Sequence, residues 1–283
     1  MKNIITLFAA LLFCHAASAA SMKTETIVDQ GMTRTYHIYI PDNLPANAPL
    51  VFVCHGYGGN ANGYQPAFIS LADEYKMAVC YPQATSDPKN KNGWNVYYPW
   101  QIDKMRVDDC EFICTLAKHL QATYNLSAQN TFFCGMSNGG EMCYLMAYRK
   151  PKEFAAIASM AGLTLVEMTA RHDYTEPVAF MEVHGTGDMT SRWEGDSTNQ
   201  YGWGAYLPVP VAVGAVAAAN KCMYEQTTEL PQIKNRVILH RYYGAPSGKE
   251  VWFYEVRNGG HNWATDSFDS CRAIMEFFKM NMR

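Results

Sequence analysis

Short, uninterrupted hydrophobic runs alternate along this chain with longer stretches in which hydrophobic residues recur every third or fourth position. Residues 50–54 and 131–134 are such runs, and they are typical of strands buried on both faces of a parallel sheet. Residues 107–124 have the helical spacing instead. Strands that alternate with helices indicate crossover connections between parallel strands. The pattern therefore predicts an α/β fold with a mostly parallel central sheet and helices on both faces.

The same hydrophobic pattern predicts the remaining strands and helices. Two extended segments are predicted within residues 24–40, around a turn at Gln30-Gly31. Further strands are predicted at residues 77–81, 154–161, 178–183, 237–243 and 250–256. Further helices are predicted at residues 68–75, 139–148, 209–220 and 268–280. Asp108 and Asp109 are expected to cap or brace the start of the helix over residues 107–124.

The first twenty residues have a different pattern. Lys2 supplies a positive charge, residues 4–13 are hydrophobic, and residues 17–20 are small. This order is typical of a secretory signal peptide, and the hydrophobic run is shorter than the roughly 20 residues of a membrane span. A lipoprotein signal at Cys14 is the alternative, but the preceding Phe13 is bulky where such a signal has a small residue. We expect a signal peptide at residues 1–20, one catalytic domain at residues 21–283, and a secreted or periplasmic protein.

Composition limits the possible partners. Hydrophobic residues make up 48% of the chain and charged residues 17%, and the net charge is −3 without any basic run. Nucleic-acid binding requires clustered Lys and Arg, so nucleic acid is not expected as a partner. No other hydrophobic run is long enough for a membrane span.

Eight cysteines follow the predicted signal peptide. An even number in an exported protein permits disulfides. Cys54, Cys80 and Cys134 lie in hydrophobic runs, where a thiol behaves as a small apolar side chain. Cys222 and Cys271 are the favoured disulfide pair, although the sequence does not determine the connectivity.

The segment Gly135-Met136-Ser137-Asn138-Gly139 matches the pattern G-x-S-x-G between a predicted strand and a predicted helix. In that context the serine occupies a sharp turn that exposes its hydroxyl, and the positive end of the following helix faces a developing oxyanion. Ser137 is therefore the predicted nucleophile.

A serine nucleophile needs a base, and the base needs an acid that orients it. Asp188 directly follows the strand at residues 178–183, and His261 follows the strand at residues 250–256 through two glycines. The order Ser, acid, His is the one that this type of turn predicts. Asp188 and His261 are therefore preferred over the other candidates, which are Asp173, Asp196, His172, His184 and His240.

Two backbone N–H groups should bind the oxyanion. We expect them at Asn138, directly after the serine, and at Tyr57, in the glycine-rich turn after residues 50–54. His55 is expected to brace that turn by hydrogen bonds. A metal site at His55, His184 and Asp188 is not expected, because their spacing is not that of compact metal ligands.

Aromatic residues are frequent in two polar, loop-like stretches. Such side chains suit stacking on sugar rings or on a phenolic acyl group, although they also serve to pack long loops. Trp94, Trp193 and Trp203 are the predicted substrate contacts.

Several segments together resemble a known family. They are residues 53–60, 107–109, 135–140, 184–188 and 259–263. In order and spacing they resemble the polyhydroxybutyrate depolymerase-like esterases, which include the feruloyl and acetyl-xylan esterases of carbohydrate esterase family 1. The resemblance covers nearly all of the chain after residue 20. It implies an α/β-hydrolase fold, the triad Ser137–Asp188–His261, and no metal or organic cofactor. Many members of the family have Cys or Ser where this chain has Tyr57, which changes the wall of the pocket but leaves the backbone donor.

The sequence thus predicts a secreted serine esterase that removes feruloyl or acetyl groups from plant cell-wall xylan. Its partner would be an ester-bearing polysaccharide or oligosaccharide, or a small ester. The alternatives are a short-chain polyhydroxyalkanoate depolymerase or oligomer hydrolase and, further away, a serine peptidase or a binding protein that has lost its activity.

Overall fold

The computed structural model describes residues 21–63 and 66–283, so the predicted signal peptide lies outside the described residues. The strands are β1 (Ser21–Asp29), β2 (Met32–Ile40), β3 (Ala48–Cys54), β4 (Ala78–Pro82), β5 (Leu126–Met136), β6 (Ala156–Met160), β7 (Ala179–Gly185), β8 (Tyr224–Glu229), β9 (Val237–Tyr243) and β10 (Val251–Val256). The helices are α1 (Ala67–Tyr75), α2 (Asp109–Tyr124), α3 (Asn138–Arg149), α4 (Val166–Arg171), α5 (Val209–Ala219) and α6 (Ser270–Met280).

All these strands join one sheet in the order β1-β2-β4-β3-β5-β6-β7-β10-β9-β8. The pairs from β4 through β3, β5, β6 and β7 to β10 are parallel. The pairs at both edges are antiparallel. The predicted mostly parallel sheet is therefore confirmed, and its central strands end at one edge of the sheet, where ligands bind in folds of this kind.

Hydrophobic side chains form a core on each face of the sheet. One core contains Phe112 of α2, Met142 of α3 and Val213 of α5. The other contains Leu71 of α1 and Ile274 of α6. Helices on both faces, as predicted, explain why the central strands are hydrophobic on both sides.

The prediction missed β8, α4 and a short 3-10 helix at Ala61–Gly63. β8 was missed because all six of its side chains are exposed, so it lacks the hydrophobic positions that mark a strand. α4 was missed because it spans fewer than two helical turns. The predicted strand at residues 131–134 is longer than expected and begins at Leu126.

The prediction of a Cys222–Cys271 disulfide is wrong. All cysteines of the described chain are free thiols. Cys222 packs against the core on one face of the sheet, whereas Cys271 is buried in the core on the other face. The sheet separates them, and a disulfide requires Cα atoms within about 7 Å of each other.

Asp108 and Asp109 both act at the start of α2. Asp108 is the N-cap, and its carboxylate accepts the N–H of Glu111 at 3.1 Å. Asp109 is buried and forms an ion pair with buried Arg34 at 2.7 Å.

None of the helices in residues 21–63 and 66–283 combines the length and the hydrophobicity needed to cross a membrane.

Candidate active site

Ser137 lies in the sharp turn between β5 and α3. Its backbone has φ 58° and ψ −119°, a conformation that is costly for a residue with a Cβ. Two backbone hydrogen bonds hold this conformation: the N–H of Ser137 donates to Met160 O at 2.8 Å, and its carbonyl accepts the N–H of Glu141 at 2.8 Å. The hydroxyl is thereby presented at the carboxyl edge of the sheet on a fixed backbone.

The two glycines that flank the serine are required by close backbone packing. A Cβ at Gly135 would lie 2.6 Å from the carbonyl carbon of Gly139 and 2.9 Å from the Cβ of Cys54. A Cβ at Gly139 would collide with the backbone of Cys54 and His55. The G-x-S-x-G pattern thus reflects the contact between the turn and the end of β3.

Asp188 follows β7 and is buried. Its Oδ1 accepts the N–H groups of Thr190 and Ser191, each at 2.8 Å. Its Oδ2 accepts a hydrogen bond from His261 Nδ1 at 2.7 Å. The structure therefore brings the predicted acid and the predicted base together, although they lie 73 residues apart in the chain.

His261 lies in the loop after β10, and its ring is half-buried. Because Nδ1 donates its proton to the Asp188 carboxylate, Nε2 is the ring nitrogen left to act as a base. One cavity of about 280 Å³ is lined by Met136, which precedes Ser137, by Trp263, which lies two residues after His261, and by Gly56. No hydrogen bond joins the Ser137 hydroxyl to His261 among the described residues, and such bonds are often long before a substrate binds.

The rival candidates have other partners. Asp173 is exposed, and Asp196 accepts backbone N–H groups of its own loop, from Thr198, Gln200 and Tyr201. His172 bonds to the hydroxyl of Tyr97, and His240 lies between Glu225 and Glu255. His184 bonds to Glu182 and to the carbonyl of Ser191.

The turn after β3 lies directly beside Ser137. A Cβ at Gly56 would be 3.3 Å from the Cβ of Ser137. His55 braces this turn: its Nδ1 donates to Gly56 O at 2.8 Å and its Nε2 accepts the N–H of Ala84 at 3.2 Å. Burial lowers the pKa of His55, and the accepting Nε2 requires a neutral ring. Within the described residues, the N–H groups of Tyr57 and Asn138 donate to no other group.

The side chain of Asn138 links α3 to the loop before α2. Its Oδ1 accepts the N–H of Trp94 at 2.7 Å, and its Nδ2 donates to Glu141 at 3.2 Å. Trp94 in turn donates its ring N–H to His55 O at 2.9 Å. Because Trp94 is completely buried, the prediction that it contacts substrate is wrong. It ties the two predicted oxyanion segments together instead.

Tyr57 belongs to an aromatic cluster of four rings. Its members are Tyr57, Tyr98, Trp100 and Trp203, with ring centroids 4.5 to 5.9 Å apart. Trp203 and Trp100 are half-buried, so part of each ring faces solvent. Trp193 belongs to a different place: it stacks on Phe253 at 5.4 Å and packs against one of the cores.

The buried carboxylate of Asp87 organises this cluster, a role that the sequence analysis missed. Its Oδ2 accepts hydrogen bonds from the hydroxyl of Tyr57, at 2.7 Å, and from the ring N–H of Trp100. Burial alone would raise the pKa of Asp87, but these hydrogen bonds lower it below its ordinary value. Asp87 lies in a polar loop and had no motif that could have marked it.

The described side chains contain no group of three or more His, Cys, Asp or Glu residues suited to hold a metal ion. The site is therefore built from a strained serine, an acid–histidine pair, free backbone donors and aromatic walls. This arrangement can perform acyl transfer through a covalent intermediate.

The comparisons with known proteins agree with this architecture. The family model "Esterase PHB depolymerase" matches residues 34–188. The feruloyl esterase B of Neurospora crassa is 28% identical over 153 residues, which are 52% of this chain and 51% of that protein. The poly(3-hydroxyalkanoate) depolymerase C of Paucimonas lemoignei is 29% identical over 125 residues, which are 44% of this chain and 30% of that protein. The matched part of the chain thus spans about half of the first of these relatives and about a third of the second.

Among solved structures, an acetyl xylan esterase from Aspergillus awamori superimposes with a TM-score of 0.64 at 19% identity. The superposition covers 92% of this chain and 99% of that one. The shared fold is the α/β-hydrolase fold, as the resemblance implied.

Proposed function

The chain belongs to the esterase PHB depolymerase family, and from this premise we propose that it is an exported serine esterase that acts on plant cell-wall polysaccharide. Ser137, His261 and Asp188 are its triad in this proposal, within one catalytic domain at residues 21–283. The charged, hydrophobic and small-residue order of residues 1–20 supports a signal peptide and hence a secreted or periplasmic enzyme.

The observation that carries the proposal is the hydrogen bond of 2.7 Å between Asp188 and His261, at the same sheet edge as the strained Ser137. A buried carboxylate that holds one imidazole nitrogen leaves the other free to accept the serine proton. The backbone strain at Ser137 is of the kind found where a nucleophile must be exposed.

The proposed reaction proceeds through an acyl-enzyme. Ser137 Oγ attacks the ester carbonyl carbon while His261 Nε2 accepts the hydroxyl proton. The N–H groups of Tyr57 and Asn138 bind the oxyanion of the tetrahedral intermediate. His261 then donates the proton to the departing sugar oxygen. Water, deprotonated by His261, attacks the acyl-enzyme, and the carboxylic acid leaves as Ser137 recovers its proton.

The aromatic cluster that contains Tyr57 supports a substrate with flat or ring-shaped parts, since such walls stack on a phenolic acyl group or on sugar rings. Relatives named feruloyl esterase and acetylxylan esterase support the removal of feruloyl or acetyl groups from xylan. The poly(3-hydroxyalkanoate) depolymerase relative supports a second candidate, the hydrolysis of short hydroxyalkanoate esters.

The test measures the release of ferulate and acetate from arabinoxylan fragments, and of 3-hydroxybutyrate from a polyester film. We expect ferulate or acetate release by the wild type and a loss of roughly 10³-fold or more in Ser137→Ala. Ser197→Ala, a change at an exposed serine outside the site, is the matched control and should keep full activity.

Release of 3-hydroxybutyrate alone would replace the xylan proposal by the polyester candidate. A folded wild type that cleaves no ester, or a Ser137→Ala variant with full activity, would refute the triad. Cleavage of peptides faster than of esters would favour a peptidase.

A further inference from the structure

A second histidine–carboxylate pair lies buried behind Asp188. Glu182 and His184 are both on β7, and neither side chain is exposed to solvent. His184 Nδ1 lies 2.8 Å from Glu182 Oε1. His184 Nε2 lies 2.7 Å from the carbonyl oxygen of Ser191. The proposed reaction mechanism does not use this pair, yet burying it is costly and needs a reason.

The partners restrict the protons on the ring. A carbonyl oxygen only accepts, so Nε2 must carry a proton that it donates to Ser191. A second proton then lies between Nδ1 and the Glu182 carboxyl group. Burial alone would lower the pKa of His184, but the hydrogen bond and charge of Glu182, together with Asp188, raise it. Burial raises the pKa of Glu182 as well, although its hydrogen bond and charge interaction with His184 oppose that rise. In the ion-paired form of the two groups, the imidazole keeps both protons and the carboxylate balances its charge.

The pair acts on Asp188 in two ways. His184 Nε2 is 3.8 Å from Asp188 Oδ2, the oxygen that accepts the hydrogen bond of His261. Ser191 joins them a second time, because its carbonyl accepts from His184 while its N–H donates to Asp188 Oδ1. The turn that carries Asp188 is thus held from both sides.

Few other charged groups face the pair. Tyr144 and Cys143 of α3 approach Glu182, and burial raises the pKa of both far above the ordinary values, so both stay neutral. Glu255 of β10 lies beside His184 in the sheet register, but His240 and Arg257 bind its carboxylate. Asp188 is therefore the carboxylate, besides Glu182, that interacts with the positive charge of His184.

We propose that Glu182 and His184 are positioning residues of the triad: the imidazolium of His184, balanced by Glu182, fixes the turn at residues 188–191 and places a positive charge beside the Asp188 carboxylate. The proposal rests on the proposed function of Asp188 and His261. In this proposal the buried pair contributes to catalysis as well as to the packing of the core.

Glu182→Gln is the test, because it keeps the shape and the hydrogen bond but cannot balance a cation. The imidazole of His184 should then lose one proton, and the positive charge beside Asp188 disappears. Loss of that charge favours protonation of the catalytic base, so the acid limb of the pH profile of kcat/KM should move upward by roughly 0.5 pH unit. We expect kcat for p-nitrophenyl acetate to fall about 10-fold with little change in KM, by analogy with the outer-shell residues that orient metal ligands.

Two measurements separate this role from simple stability. Rates are divided by the concentration of active enzyme, titrated with a fluorophosphonate, so that misfolded protein does not count. Glu225→Gln is the matched control, since Glu225 also bonds to a histidine Nδ1, that of His240, but is exposed on the edge strand. The control should leave the pH profile unchanged. An unchanged profile and kcat in Glu182→Gln would overturn the proposal, even if its melting temperature falls.

A third measurement uses the wild type and needs no activity. In nitrogen NMR of histidine-labelled protein, one ring should keep both nitrogens protonated at a higher pH than an unperturbed histidine does. A spectrum without such a ring would overturn the proposal whatever the variants do. If instead the wild type cleaves no ester while this ring is present, the proposed function fails and the charged pair does not.

Discussion

The buried carboxyl group of Glu141 should lower the free energy of unfolding as the pH rises. This residue lies in the first turn of α3, its side chain is 1% exposed, and its Oε2 accepts a hydrogen bond from Asn138 at 3.2 Å. Burial raises the pKa of Glu141 from 4.5 to about 7, against the opposing effect of its hydrogen bonds. The folded protein therefore holds this proton at pH values where the unfolded chain has already lost it.

The sign and size follow from proton linkage. Between pH 4.5 and about 7 the folded state binds more protons than the unfolded state, so the free energy of unfolding falls as the pH rises. At about 1.36 kcal/mol per pH unit, the whole interval corresponds to about 3 kcal/mol. This cost is absent below pH 4.5 and complete above about pH 8.

The assay is urea denaturation of the wild type and of Glu141→Gln at pH 5 and pH 8. Because glutamine does not titrate, the variant should gain about 2 to 3 kcal/mol relative to the wild type between these two pH values. Glu276→Gln, at an exposed position of α6, is the control and should follow the wild type. A difference between Glu141→Gln and the wild type that is the same at both pH values would refute the reasoning.

Three further predictions concern the fold around the site. Asp109→Asn should cost about 3 to 5 kcal/mol in urea denaturation, because it leaves the buried cation of Arg34 without its partner; a loss below 1 kcal/mol would contradict this. Gly135→Ala should cost about 3 kcal/mol or more by the same assay, since its Cβ would meet the backbone of α3 at 2.6 Å, and a variant as stable as the wild type would show that the turn can relax. Dithiothreitol should leave the melting temperature unchanged, because Cys222 and Cys271 are free thiols; a fall on reduction would indicate a disulfide.

Much of the architecture could be predicted from local sequence. A strand buried on both faces must be hydrophobic at nearly every position, so β3 and β4 are visible as hydrophobic runs, and β7 is visible from the hydrophobic residues 178–181 at its start. In a parallel sheet the residues after such strands meet at one edge. For that reason the sequence alone indicated that Ser137 and Asp188 lie at the same edge of the sheet.

The surroundings of the site could not be predicted in this way, because they depend on which face each side chain points to and on which distant segment covers it. Trp94 is indistinguishable in sequence from an exposed aromatic residue, and only the packing of its loop against α3 buries it. Asp87 becomes the centre of the aromatic cluster because the chain returns to Tyr57 across 30 residues.

Glu182 and His184 show the same limit of prediction from sequence, here for buried polar residues. In the sequence these are two polar residues at alternate positions of a strand, a pattern that normally indicates a solvent-exposed face. The tertiary structure buries that face under α3 and the turn that carries Asp188, so the two polar residues form a fully enclosed pair. Local sequence determined the strands and the turns that bear the reactive groups. Only the packing of segments far apart in the chain decided which groups surround them, because burial and pairing are properties of both partners.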